Sequence, residues 1–160
     1  MKKISVIGAG LVGATSVYSM MLREIADEIA LIDIDDKRSN AEVWDIRHGF
    51  PEISKTVVKR GTYADCKDSD VIVITAGVAR KVGESRNDLL MKNSKIMEGI
   101  CAEIKATNTN AVVIHRGNHT GYVRTMARII NIVGCNRADI LDKVIAMNIT
   151  GITVVVVINP

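Results

Sequence analysis

The sequence predicts an α/β protein built on a doubly wound parallel sheet, in a single domain. Three observations predict it. Short apolar runs rich in β-branched residues, near residues 3–7, 28–33, 70–74 and 111–114, alternate with longer stretches of helical period. The segments between them lack the two-residue hairpin signals that would join neighbouring strands in opposite directions. The first apolar run also breaks into Gly8-Ala9-Gly10-Leu11-Val12-Gly13 and passes directly into helix-like sequence, a strand-turn-helix junction.

The first strand ends at this glycine turn, and the helix after it spans about Leu11 to Arg23, with Val12, Val17, Met20 and Met21 among its apolar positions. A second strand runs from Glu28 to Asp33. Lys37 to Arg47 reads as a helix with Ala41, Val43, Trp44 and Ile46 facing inward, and with Gly49 and Pro51 to stop it. Thr56 to Lys59 makes a short third strand, and Tyr63 to Asp68 a polar turn or one-turn helix. Ser69 to Thr75 holds the fourth strand. Its near-continuous apolar run is the pattern of a strand covered on both faces. It delivers the chain to Thr75-Ala76-Gly77, a second small-residue turn at the same edge of the sheet as the first.

Val78 to Glu84 forms a polar loop containing a glycine. In the long helix that follows, Leu89, Leu90, Ile96, Met97, Ile100, Cys101 and Ile104 recur at three- and four-residue spacings. Ala111 to Ile114 is a fifth strand. A helix-like stretch from Tyr122 to Val133, the segment Asp142 to Met147, and the apolar run from Thr153 to Asn159-Pro160 complete the chain.

Composition sets the outer limits. A chain of 160 residues is long enough for a real core and short for a two-domain enzyme. With 48% hydrophobic but only 3% aromatic residues, that core is aliphatic. A net charge of +3 is too modest to imply nucleic acid, and the cations around His115, Arg116, His119, Arg124 and Arg128 read as a solvated face. The three cysteines, Cys66, Cys101 and Cys135, are odd in number and lack metal-ligand spacing, so they read as buried or idle thiols in a reducing compartment, with no metal site. No signal peptide is expected. The longest apolar run, Val154 to Ile158, is too short to span a bilayer, so the expectation is a soluble, cytoplasmic protein without a membrane partner.

The glycine turn carries the first chemical expectation. Gly8 allows a tight turn, Gly10 lets backbone approach a pyrophosphate, and Gly13 lets the helix pack close to the strand. The amides of Ala9, Leu11 and Val12 belong to the same turn, and the positive end of the helix dipole favours phosphate. Asp33 lies twenty residues past Gly13, at the end of the second strand, where a carboxylate accepts both ribose hydroxyls of an adenine nucleotide. The acid favours NAD over NADP, whose extra phosphate it would repel. Together these define a Rossmann dinucleotide-binding fold with NAD as its cofactor.

With the loop Gly77-Val78-Ala79-Arg80-Lys81-Val82-Gly83-Glu84-Ser85-Arg86 in view, the chain resembles the NAD-binding N-terminal half of the lactate and malate dehydrogenase family, and its malate branch more closely. Besides the turn and Asp33, the matching pieces are Asp45-Ile46-Arg47-His48-Gly49, Thr75-Ala76-Gly77, the arginine loop, and Met91-Lys92-Asn93. The match covers residues 1 to about 114, leaving 115–160 divergent or inserted.

The resemblance implies hydride transfer between NAD(H) and a small 2-hydroxy or 2-oxo acid, most closely malate and oxaloacetate, with lactate-type specificity or a non-catalytic nucleotide-binding module as alternatives. Arg86 would polarise the substrate carbonyl and Arg80 would grip a second carboxylate, at a position where lactate enzymes typically carry glutamine. Thr75, Ala76, Gly77 and Asn93 would meet the cofactor, although the residues alone also allow Asn93 to be an ordinary polar residue on an exposed helix face. His48 takes a structural role before Pro51.

Where the family's fifth strand ends in Thr-Asn-Pro, this chain reads His115-Arg116-Gly117-Asn118. Two registers follow: Asn159-Pro160 is the displaced motif, which puts Asn159 beside the nicotinamide and substrate, or Asn118 is its counterpart and Lys143 to Met147 forms the next strand. The first is preferred on the apolar run that ends in Asn-Pro. The family's catalytic histidine, its orienting aspartate and a further substrate arginine belong to a second half that these residues do not include. Neither His115 nor His119 has an identifiable aspartate partner, so neither takes that role. The chain alone is expected to bind NAD and turn over poorly or not at all, and the family implies a homo-oligomer.

Overall fold

In the computed structural model, residues 1–49, 54–107, 111–117, 144–149 and 152–157 are described. The chain forms β1 (Lys3–Ile7), α1 (Leu11–Leu22), β2 (Glu28–Ile32), α2 (Asp36–Gly49), β3 (Val57–Arg60), a 3-10 turn (Tyr63–Cys66), β4 (Val71–Ile74), α3 (Arg86–Thr107) and β5 (Val112–Gly117). β6 (Val144–Ile149) and β7 (Ile152–Val157) follow. The sheet order is β3-β2-β1-β4-β5-β7-β6.

The first five strands are parallel, in the doubly wound arrangement that the alternating pattern predicts. From β1 the chain winds outward through β2 to β3, then returns to place β4 on the other side of β1. The carboxyl ends of β1 and β4 therefore flank the point where the winding reverses, the crevice where open α/β sheets hold ligands.

Strand residues are buried alternately on two faces, which is why the runs read as continuously apolar. Val6, Leu31 and Val58 face α1 and α2, packing with Val17, Met21 and Val43. Ile7, Ile32 and Ile74 face α3, packing with Met97, Ile100 and Ile104. The core is aliphatic, as the composition predicts. Cys66 and Cys101 are buried and form no disulfide; burial pushes the Cys101 thiol up to about 11 and raises that of Cys66, so both are poor nucleophiles at neutral pH. Cys135 lies outside the described residues.

Several expectations need correction. Trp44 and Ala41 point outward, Trp44 being 52% exposed, with its ring centroid 5.0 Å from that of His48 and the two rings tilted by 59°. α2 instead buries Ser39, Val43 and Ile46, a stripe at four- and three-residue spacing whose first member is small enough to lie against the sheet. β5 runs on to Gly117, three residues past the expected end. The largest difference is in direction: β7 pairs with β5 antiparallel, and β6 pairs with β7 antiparallel. An antiparallel β-hairpin thus extends the parallel sheet beyond β5. The apolar, β-branched sequence of residues 153–157 specifies a strand but carries no information on strand direction.

Among the described residues, no helix is long and apolar enough to cross a membrane. The helix expected over 122–133 lies outside them, as do Asn118, His119, Asn159 and Pro160.

Candidate functional site

The first wall of the crevice is the glycine turn. Gly8 sits at φ +111°, a backbone conformation that side chains disfavour, and a Cβ there would lie 2.6 Å from the Ala76 nitrogen. At Gly13 a Cβ would come within 1.8 Å of the Gly8 carbonyl oxygen, so α1 is packed directly against the turn. Gly10 differs. Among the described residues beyond its chain neighbours, only the Arg38 guanidinium comes within 4.0 Å of a Cβ built there. The three glycines thus divide the labour as their spacing predicts: two satisfy internal packing, and the middle one leaves bare backbone.

Gly10 caps α1 without any side-chain hydrogen bond, and the first turn of the helix holds no acid. Among the described residues no side chain caps this helix end, and the acid beside it, Asp33, binds the preceding Ala9 N–H, an arrangement that leaves the first-turn amides open to an anion. Leu11 is 85% exposed at the same place.

Asp33 stands beside the turn. One carboxylate oxygen accepts the Ala9 N–H at 2.6 Å and the other accepts the Asp35 N–H at 2.9 Å. Asp35 in turn accepts from Lys37 and Arg38 N–H groups at 3.0 and 3.2 Å, fixing the first turn of α2. The carboxylate retains acceptor capacity for a ligand hydroxyl.

The second wall is Thr75-Ala76-Gly77. The Thr75 and Ala76 N–H groups both donate to the Ile7 carbonyl, at 2.8 and 3.0 Å. The Thr75 hydroxyl donates to the Gly8 carbonyl at 2.9 Å. The two small-residue turns are thereby stitched to each other at one edge of the sheet, as their positions after β1 and β4 predict.

Asn93 is not on an exposed face. It is buried on α3, its Oδ1 accepting the Val78 N–H at 2.8 Å and its Nδ2 donating to the Val78 carbonyl at 3.3 Å. A Cβ on Gly77 would stand 3.1 Å from the same amide oxygen. Asn93 therefore fixes the root of the arginine loop.

Farther along, the Glu84 carboxylate accepts the Lys81 N–H at 2.9 Å and pairs with the Lys92 ammonium. Ser85 and Asp88 cap α3 reciprocally: the Ser85 N–H donates to Asp88 at 3.2 Å, and the Asp88 N–H to the Ser85 hydroxyl at 3.1 Å. Between these fixed points lie Val82, fully exposed, and Gly83 at φ +81° with open space around it. Arg80 and Arg86 flank Gly83, both exposed, and among the described residues neither has a carboxylate partner.

His115 is buried in β5, opposite Ile74 of β4. Burial drives its imidazole down to about 4, so it is neutral at physiological pH. β5 directs Gly117 toward the edge that carries both turns, whereas antiparallel β7 ends at Val157 opposite Val113, near the start of β5. Asn159 lies outside the described residues.

Sequence reasoning missed two features here. Arg38 beside Gly10 is one; its only signal is a place in the first turn of the helix that begins just after Asp33. The Glu84–Lys92 pair is the other, and residues eight apart carry no simple helical signal when one lies in a loop.

A parallel α/β sheet with an uncapped glycine turn at its switch point and an acid at the end of the next strand defines a nicotinamide-dinucleotide-binding domain. The chain belongs to the lactate/malate dehydrogenase family: residues 2–134 match its NAD-binding domain, a match that runs past Ile114.

It is 42% identical over 113 residues to an L-lactate dehydrogenase of Acetivibrio thermocellus, covering 71% of this chain and 36% of that protein. It is 44% identical over 114 residues to an L-lactate dehydrogenase of Thermoanaerobacter pseudethanolicus, covering 71% and 37%. Among solved structures, a lactate dehydrogenase from a Medee basin deep-sea metagenome library aligns with a TM-score of 0.73 at 32% identity, over 81% of this chain and 42% of that one. The malate dehydrogenase of Picrophilus torridus aligns with a TM-score of 0.70 at 36% identity, over 82% and 43%. The chain spans little more than a third of the length of these curated relatives.

Proposed function

We propose that this chain is the part of a 2-hydroxy-acid dehydrogenase that seats NAD and supplies the arginine loop for oxaloacetate and malate. In this reading residues 1–160 form one dinucleotide-binding domain. The open Gly10 backbone and the start of α1 hold the diphosphate, Asp33 takes the adenosine ribose hydroxyls, and Thr75-Ala76-Gly77 forms the wall across from them. Bound NAD supplies the hydride chemistry, while the protein orients and polarises.

The substrate assignment is carried by the exposed guanidinium groups of Arg80 and Arg86 on either side of Gly83, which have no carboxylate partner among the described residues. Two guanidinium groups suit a substrate with two carboxylates or a carboxylate and a reacting carbonyl. In this role Arg86, first residue of a capped helix, polarises the carbonyl as negative charge develops on its oxygen, and Arg80 binds the second carboxylate. Asn93 acts through the loop root that it holds. Asn159 is the residue assigned to the nicotinamide and substrate, with Asn118 as the alternative; the antiparallel direction of β7, which ends opposite the start of β5, supports the alternative.

The test is calorimetric titration of oxaloacetate and of pyruvate into the NADH-saturated chain. Oxaloacetate binds the more tightly, and Arg80→Gln removes that preference while pyruvate is unaffected. Equal affinities that are insensitive to Arg80 would refute the dicarboxylate assignment. The second reading, pyruvate and lactate, is favoured by the L-lactate dehydrogenases among the relatives, and it gains if pyruvate binds the more tightly.

A further inference from the structure

We propose that Lys92 is a positioning residue for the arginine loop: its ammonium engages the Glu84 carboxylate and withholds it from Arg80 and Arg86, leaving both guanidinium groups to the substrate. The loop tip is a closed turn. The Glu84 N–H donates to the Lys81 carbonyl at 3.2 Å, the Glu84 carboxylate accepts the Lys81 N–H at 2.9 Å, and Gly83 at φ +81° holds the third place, as a type II turn requires. Lys92 fastens this turn to α3 through the same carboxylate, one residue before Asn93, which holds Val78. Both ends of residues 78–84, and Arg80 between them, are thus set by two successive residues of one helix.

The pair also settles where charge goes. A closed turn keeps its ends within about 7 Å, so Glu84 stays in side-chain reach of Arg80, the residue before the turn. Two residues of chain span at most about 7 Å, so Arg86 is in reach as well. The Glu84 side chain is only 8% exposed, and a carboxylate so shielded from water requires a cation. Lys92 supplies it: the ammonium holds the Glu84 carboxyl below its usual range, and the carboxylate raises the ammonium in return. The other acid between Val78 and Lys92, Asp88, is occupied by the Ser85 N–H and hydroxyl, at 3.2 and 2.6 Å. Without Lys92, Glu84 gains most from Arg80 or Arg86, because a planar guanidinium matches a carboxylate better than the Lys81 ammonium does. Such a pair blocks the groups that a substrate carboxylate needs.

This inference rests on the reading of Arg80 and Arg86 as substrate-binding groups, and two readouts keep the two distinguishable. The first is calorimetric titration of oxaloacetate and pyruvate into the NADH-saturated 160-residue chain and its variants at about 0.15 M salt. Lys92→Gln weakens oxaloacetate about tenfold, and Lys92→Arg keeps the wild-type affinity. In a Glu84→Gln background, Lys92→Gln changes affinity about twofold or less. The second readout is the rate at which phenylglyoxal labels Arg80 and Arg86, followed by peptide mass spectrometry without substrate. Labelling is several-fold slower in Lys92→Gln than in wild type and regains the wild-type rate in the double variant. The thermal midpoints of the variants stay at the wild-type value.

Equal losses from Lys92→Gln in both backgrounds would overturn the proposal by making Lys92 a direct attraction for the anion. Labelling or oxaloacetate affinity that does not respond to Lys92→Gln, the outcome if Lys81 captures Glu84, would overturn it while leaving the substrate reading intact. Wild-type binding of neither oxaloacetate nor pyruvate would refute that reading and this proposal together, whatever the labelling shows.

Discussion

The Asp33 carboxylate accepts the Ala9 backbone N–H at 2.6 Å, so the acid at the end of β2 and the glycine turn after β1 are one bonded unit. Substituting either therefore disturbs both. Asp33→Asn keeps an oxygen for Ala9 but removes the charge that favours ribose hydroxyls over a phosphate. NADH affinity is expected to fall roughly tenfold while NADPH affinity holds or rises. Fluorescence titration of both nucleotides checks this, and an unchanged ratio between them would count against Asp33 as the selector.

The glycines separate packing from ligand approach. Gly13→Ala forces a methyl to within 1.8 Å of a backbone oxygen and is expected to destabilise the fold by about 3 kcal/mol or more. Gly10→Ala meets only the end of a flexible arginine at 4.0 Å, so its cost to stability stays within about 0.5 kcal/mol, yet it blocks NADH. Denaturant unfolding paired with NADH titration distinguishes them. Loss of binding without loss of stability at Gly10 is the outcome to look for.

Asn93 holds Val78 through both its N–H and its carbonyl. Asn93→Ala strands these groups at the base of the loop and is expected to cost about 1–3 kcal/mol. Hydrogen exchange at the Val78 amide should accelerate while amides in β1 and β4 keep their protection. Unchanged exchange at Val78 would mean that the loop root is held by something else.

His115 gives the fold a definite response to acid. Its imidazole titrates near 4 in the folded chain because burial disfavours the cation, against about 6.5 when unfolded. Between those values the unfolded chain carries a proton that the folded chain refuses, so the stability contributed by the neutral ring is complete above about pH 6.5 and is lost as pH falls toward 4. The full loss is roughly 3 kcal/mol. Urea unfolding at pH 7 and pH 4.5 should show a steeper decline for wild type than for His115→Val. Parallel declines would contradict a buried neutral imidazole.

The parallel part of the sheet was legible because each of its signals is local. Val71 to Ile74 is apolar without alternation because both faces are covered, and Gly8, Gly10 and Gly13 each meet a separate geometric demand within six residues. Trp44 misled because hydrophobicity counts a large indole as an inward residue, while the geometry of α2 gave the buried stripe to Ser39, Val43 and Ile46. Asn93 looked exposed because polarity suggests a solvent face, but its partner, Val78, offers backbone groups that no side-chain pattern reveals. The reversed direction of β7 was likewise hidden, since a run of valines pairs either way and its direction depends on what precedes it.

Among the described residues, one outer margin of the sheet is β3, a strand of only four residues whose outward row of backbone groups has no further strand beside it. Its two cations are already committed: Lys59 to Asp65 and Glu28 at 2.8 and 3.2 Å, and Arg60 to Asp36 at 3.2 Å. Another chain adding itself laterally there would gain few hydrogen bonds and would have to disturb those pairs. That margin is thereby poorly suited to templating fibrillar growth, even in a molecule so rich in valine and isoleucine.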